Sequence, residues 1–177
     1  MLRIILIILG ILLGLVVLVA VIGLALPRRH RATSSVVLAA PPDSVWAIVS
    51  DPNALVGTWS ELESAERLPD RDGKPVWRQK TSGFEMVMIV EEAVPATRLV
   101  TRIDAPEDAT FGGGWVYELA PEGAGTRVSV TEDGWVGNPL FRTMMYAMGV
   151  HRTLDGYLTA LGTRLGEQVK PEHQTAR

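Results

Sequence analysis

The chain is 177 residues long and 47% hydrophobic, carries a net charge of −3 and contains no cysteine. That length suits one ordinary domain plus a short extra element. A mildly acidic balance argues against nucleic-acid binding, which needs a basic footprint, and the absence of cysteine excludes disulfides, thiolate catalysis and cysteine metal sites.

The first element is an apolar run, Ile4–Leu26, with no charged residue. As a helix it would extend slightly more than 30 Å, roughly the thickness of a bilayer's hydrocarbon core. A helix satisfies its own backbone hydrogen bonds, so such a run is stable in lipid. Cleaved signal peptides have shorter apolar regions of about 7–15 residues, so an uncleaved single-pass anchor is expected, with the bilayer as its partner. Gly10 and Gly14 form a small-xxx-small pair of the kind that supports helix pairing, though ordinary glycine content explains them equally well. Arg28, Arg29 and Arg31 follow the run, against Arg3 before it. The heavier basic flank favours the cytoplasmic side, so the domain is expected there. These positions divide the chain into an anchor (1–27), a basic juxtamembrane linker (28–32), a folded domain (33–166) and a polar tail (167–177).

The β-branched run Thr33–Ala39 predicts a first strand. Pro41, Pro42 and Asp43 open a short helix, Ser44–Ser50, because proline fits a first turn and an acid suits its positive end. Asp51, Pro52 and Asn53 stop it, and a second short helix over Ala54–Thr58 leads to Trp59. Turn residues at intervals of about ten then punctuate six strands, a pattern that predicts an antiparallel meander. The strands are Ser60–Leu68, Pro75–Thr81, Phe84–Val94, Arg98–Asp104, Phe111–Leu119 and Thr126–Val136, with a loop Ala105–Thr110 between the fourth and fifth. Side chains alternate along a strand, so Val128, Val130 and Glu132 share the inner face, and Trp115, Tyr117 and Leu119 form another same-face set. Gly112, Gly113 and Gly114 lack the Lys-Ser/Thr of a phosphate loop and predict a bulge or bend. Asn138 and Pro139 have the chemistry of a helix start. The stripe Leu140, Met144, Ala147, His151, Leu154, Leu158, Leu161 and Leu165 then predicts one long C-terminal helix. The tail after Gly166 has no periodicity and is expected to be disordered.

One strand, two short helices, six strands and a long C-terminal helix is a distinctive order. Ala40-Pro-Pro-Asp-Ser-Val-Trp46, Ser50-Asp-Pro52 and Trp59 carry a resemblance, together with Gly114-Trp115, Leu119-Ala-Pro121, Gly125-Thr-Arg-Val128 and Asn138-Pro139. In these features residues 31–166 resemble the START-like (SRPBCC, polyketide cyclase/dehydrase, birch-pollen-allergen) superfamily. The resemblance implies an α+β helix-grip fold, in which a bent antiparallel sheet of about seven strands wraps the C-terminal helix around a cavity. Members of that superfamily bind lipids, sterols, polyketides, quinones and other apolar molecules, and some catalyse cyclisation or dehydration.

Such a cavity singles out a few residues. His151 sits mid-stripe and is a candidate base or carbonyl partner. Glu132, if inward and desolvated, would have a raised pKa suited to a general acid. Tyr117 offers a hydrogen bond and Trp115 a flat apolar wall. Met86, Met88, Met144, Met145 and Met148 are flexible enough to fill an adaptable pocket. Each also has a plainer explanation in core packing or a core hydrogen bond. Asp43 and Asp51 are explained by helix capping alone. His30 and His173 fall in flanking polar segments, and no two histidines have metal-ligand spacing, so neither a metal nor a cofactor is expected. The function expected first is membrane-tethered binding of a hydrophobic small molecule rather than catalysis. The alternatives are a cyclase, dehydratase or isomerase in which His151 and Glu132 converge on one ligand, and a membrane-associated interaction module.

Overall fold

The computed structural model describes residues 1–106 and 109–174. Part of the expected loop 105–110 and the end of the tail lie outside these residues. Helix α1 is Leu2–Ala25, strand β1 Arg29–Leu38 and helix α2 Pro42–Val49, followed by a single 3-10 turn, Pro52–Leu55. Strands β2 (Leu62–Arg71), β3 (Lys74–Thr81), β4 (Phe84–Val94), β5 (Arg98–Ile103), β6 (Phe111–Glu122) and β7 (Gly125–Val136) come next. Helices α3 (Pro139–Met148) and α4 (Arg152–Arg164) and a short strand β8 (Glu172–Gln174) complete the described residues. The strands form one antiparallel sheet in the order β2-β3-β4-β5-β6-β7-β1-β8. The first seven are the meander plus the opening strand that the sequence predicted, and the whole is an α+β helix-grip fold.

The core lies between the concave face of the sheet and α4. Leu154, Leu158 and Leu161 are fully buried against Leu38, Val128 and Val130, with Val45 of α2 and Leu55 of the 3-10 turn closing one side. The convex face of β2–β6 carries cross-strand ion pairs such as Arg78 with Glu66 and Arg98 with Glu118, at 2.8 Å each, which keep it wetted. Asp51 caps the 3-10 turn through the Asn53 N–H, and Asn138 caps α3 through the N–H groups of Leu140 and Phe141.

Four expectations are corrected. The C-terminal helix is two helices, not one. Gly149 adopts φ 94°, a conformation that side-chain-bearing residues avoid, and it ends α3 three residues before α4 begins. The apolar stripe runs through this break because periodicity counts residues and does not sense backbone direction. Leu140, Met144 and Met148 accordingly stay exposed, while Leu154, Leu158 and Leu161 enter the core. The linker 28–32 is largely strand: β1 begins at Arg29, and alternation turns His30 inward with Ala32, leaving Arg29 and Arg31 outside. The tail also has structure as far as residue 174. The Glu167 carboxylate accepts from the Ala39 and Ala40 N–H groups, Val169 packs on the core, and β8 pairs with the free edge of β1. Edge pairing is made by main chain, so it leaves no hydrophobic period to read. The glycine run 112–114 pairs with β7 in unbroken register, so it makes no bulge there. The Trp135 ring instead lies 2.9 Å from the place a Cβ on Gly112 would occupy.

Candidate functional site

A cavity of about 630 Å³ lies between the sheet and the helices. That volume is in the range of small-molecule sites, roughly 300–1,000 Å³. Its walls are largely apolar and include several aromatic rings and five methionines. Trp59 follows the 3-10 turn and meets Tyr157 of α4 edge-on at 5.5 Å, and Tyr157 in turn touches Tyr117 of β6 at 5.3 Å. Trp77 and Trp115 reach in from β3 and β6. At the α3 end Phe84, Phe111 and Phe141 form a cluster with ring centroids 5.3–6.0 Å apart. Alternation puts Met86, Met88 and Val90 of β4 on the inner face, and Met144, Met145 and Met148 close the α3 side.

Of the residues singled out from the sequence, Trp115, Tyr117, Glu132, Met86, Met88, Met144 and Met148 line this cavity together. His151 does not. It precedes α4 and faces the β1/β8 edge, where Ser34, Asp155 and His173 surround it. Buried Ser34 donates its hydroxyl to Asp155 Oδ1 at 2.8 Å, so its oxygen is left to accept from His151 Nδ1 at 3.2 Å. His173 holds the other oxygen of Asp155 at 2.8 Å and stacks on His151 with ring centroids 4.0 Å apart. Burial, with help from the neighbouring His173, pushes the His151 pKa below its ordinary value. A serine, a histidine and an aspartate do meet here, but the hydroxyl is fully buried and donates its hydrogen bond to the carboxylate rather than to the imidazole. It is a packing interaction and has no nucleophile to offer.

Glu132 pairs with a histidine that the sequence did not assign to the cavity. It accepts from His30 Nε2 at 2.9 Å, and both side chains are largely buried in the cavity wall. Diagonal placement across the β1–β7 pair brings them together, since His30 stands opposite Gly134 and Glu132 opposite Ala32. Three buried polar atoms in the lining have no partner among the described residues: His30 Nδ1, Trp59 Nε1 and Thr101 Oγ1. Burial also holds the hydroxyls of Tyr117 and Tyr157 protonated, with pKa values far above the ordinary phenol. The cavity therefore presents neutral hydrogen-bonding groups set in an apolar wall, beside the His30–Glu132 pair and the Arg152–Glu61 pair, whose charged groups lie 3.8 Å apart. No group of three or more histidine, aspartate and glutamate side chains among the described residues is arranged to hold a metal.

Sequence reasoning missed His30, Trp59 and Thr101 as lining residues. His30 was legible in principle, since the alternation of β1 extends back through Ala32 to it. Trp59 lies outside any periodic element and carried no such signal.

Solved structures share this architecture. An aromatase/cyclase, Zhui from a Streptomyces species, superposes with a TM-score of 0.64 at 19% identity, covering 77% of this chain and 94% of its own. A START superfamily protein from Mycobacterium smegmatis gives 0.63 at 24% identity, with 77% and 97% covered. A protein from Thermus thermophilus gives 0.62 at 20%, with 77% and 96% covered. No curated protein matches the sequence. At these identities the likeness establishes the fold. The family itself is established by a sequence model matching residues 29–166, from the first strand to the end of the C-terminal helices: the chain belongs to the family described as polyketide cyclase/dehydrase and lipid transport.

Proposed function

We propose that this protein binds an apolar small molecule bearing a hydrogen-bond acceptor, and holds it beside the membrane that α1 crosses. The observation that carries the reading is the apolar cavity, lined by aromatic and methionine side chains, with unpartnered polar atoms in its wall. The indole N–H of Trp59 is a donor only, so its natural complement is a carbonyl, quinone or ester oxygen on the ligand. Leaving such a donor unpaired costs about 1–3 kcal/mol, and a ligand acceptor would recover much of it. A lipid, an isoprenoid quinone or a polyketide-like molecule meets this description. Helix α1 is long and apolar enough to cross a bilayer, and Arg28, Arg29 and Arg31 favour a cytoplasmic domain.

Native mass spectrometry of the full chain, released gently from membranes, tests the reading. A stoichiometric apolar molecule is expected, and Trp59→Phe should weaken its retention roughly tenfold through the lost hydrogen bond. A clean unliganded mass from every preparation would overturn it.

The His30–Glu132 pair supports a second reading, a cyclase-type reaction in which this pair moves a proton on the bound molecule. In that case Glu132→Gln would accumulate a chemically distinct precursor in the extract. If only binding occurs, wild type and variant carry the same molecule.

A further inference from the structure

Anchor and cavity meet at one helix. The buried Arg142 of α3 donates from Nη1 to the carbonyls of Gly23 and Leu26, at 2.9 and 3.0 Å. Its Nε and Nη2 bond Val136 and Gly137 carbonyls at 3.1 and 3.0 Å. One guanidinium thus ties the last turn of α1 to the strand-to-helix junction of the domain. Four carbonyls surround it, which allows a charged residue to sit in an apolar setting. Thr143 donates to the Val19 carbonyl at 2.9 Å. Gly23 allows this packing, because a Cβ there would overlap the Pro139 carbonyl.

These bonds set a depth. Val19 lies seven residues before Leu26, so Thr143 sits about 10 Å back along α1 from its end. Arg28 and Arg29, which belong at headgroup level, come after that end. The composition of α3 fits the depth. Arg142 and Thr143 have their donors committed to carbonyls, and the other side chains are Pro, Leu, Phe, Met and Ala with a single amphipathic Tyr146. Leu140, Met144 and Met148 make a stripe 41–49% exposed on a helix packed against α1, whose own apolar side chains are largely uncovered. Met144 and Met148 are also walls of the cavity, beside the 40% exposed ring of Phe84.

We propose that α3 lies within the bilayer leaflet next to α1, and that its Met144 and Met148 form a rim through which the cavity opens directly onto lipid acyl chains. A lipophilic molecule would then pass between membrane and cavity without crossing water. This rests on the reading that α1 spans the membrane. The bilayer is the occupant that fits, because the stripe carries no charge and is fixed at the depth of an apolar span.

The chain has no cysteine, so single cysteines report single positions. Leu140→Cys, Met148→Cys, Leu13→Cys and Ala124→Cys would each be labelled with an environment-sensitive fluorophore. The full chain is then placed in phosphatidylcholine–phosphatidylglycerol vesicles. Quenching is measured with doxyl-labelled lipid and with aqueous iodide. Ala124 lies at the far end of β7, about 40 Å from α3 along the strand, and should respond to iodide alone. Labels at Leu140 and Met148 are expected to be quenched by doxyl lipid, with iodide quenching about fivefold weaker than at Ala124. Iodide quenching without lipid quenching at both α3 positions overturns the proposal. Shielding from both quenchers would mean that a second protein surface covers the stripe, and overturns it too. If the Leu13 label is not quenched by doxyl lipid, the spanning of α1 itself fails. Lipid quenching at Leu13 alone leaves the anchor standing and removes only the role of α3.

Discussion

Two histidines illustrate how far neighbours decide a residue's role. His30 follows α1 within a run of arginines, yet strand alternation turns it inward to Glu132. His151 occupies a helical stripe that reads as core-facing, yet it stacks on His173 at the sheet edge. This placement has a pH consequence. The charged and titratable groups around His151 are His173 of β8, Asp155 of α4 and Glu132 of β7. Burial lowers its pKa first of all, and His173 adds to this. The folded chain therefore takes up a proton at His151 less readily than the unfolded chain, whose histidine titrates near 6.5. Unfolded protein binds more protons below that pH, so the contribution of His151 to stability is full at neutral pH and falls as the solution is acidified. Thermal melts of the full chain between pH 7.5 and 5 should show a steeper loss for wild type than for His151→Gln. Parallel curves would remove His151 from the account.

At the scale of elements, the break between α3 and α4 gives the molecule its two environments. Gly149 permits the turn because φ 94° carries no Cβ penalty there. Helix α4 then buries its leucines in the sheet, while α3 pairs with α1. Gly149→Ala should destabilise by roughly 1–3 kcal/mol, the usual scale for forcing a side chain into a sparsely populated backbone region. A fall in melting temperature of several degrees is the expected readout. An unchanged melt would mean that α3 and α4 can join without strain. Strands and caps were legible where their chemistry is local: Asn138 and Pro139 start α3, and Asp51 caps the 3-10 turn, as their side chains predict. The edge strand β8 was not legible, because three residues paired through main chain carry no side-chain pattern.

For the whole molecule, cavity and stability are coupled. A 630 Å³ space left unfilled by side chains removes packing that the core would otherwise have, and a ligand in it restores those contacts. Binding to the folded state alone stabilises by mass action, about 2.7 kcal/mol at a hundredfold excess over Kd. The molecule extracted from membranes, added back to stripped protein, should therefore raise the melting temperature by several degrees in a concentration-dependent way. No shift at saturating concentration would count against the cavity as its site. Leu158→Ala offers a contrast. It should cost about 2–5 kcal/mol whether or not ligand is present, because Leu158 is fully buried and does not line the cavity.

By itself the sequence determined what depends on composition and local period. An uninterrupted apolar run specifies an α1 long enough for a bilayer, and period-two alternation places Met86, Met88, Trp115, Tyr117 and Glu132 on the inner face of the sheet. The order of elements marks the family, because turn and cap residues act within a few positions of themselves. Only the tertiary structure decided which polar groups meet. Glu132 joins His30 from 102 positions away, Ser34 joins Asp155 from 121, and Arg142 reaches Gly23 from 119. Such pairings depend on strand register, on the direction a helix takes after Gly149 and on the docking of α1 on α3, and each of these is set by long-range packing rather than by local periodicity.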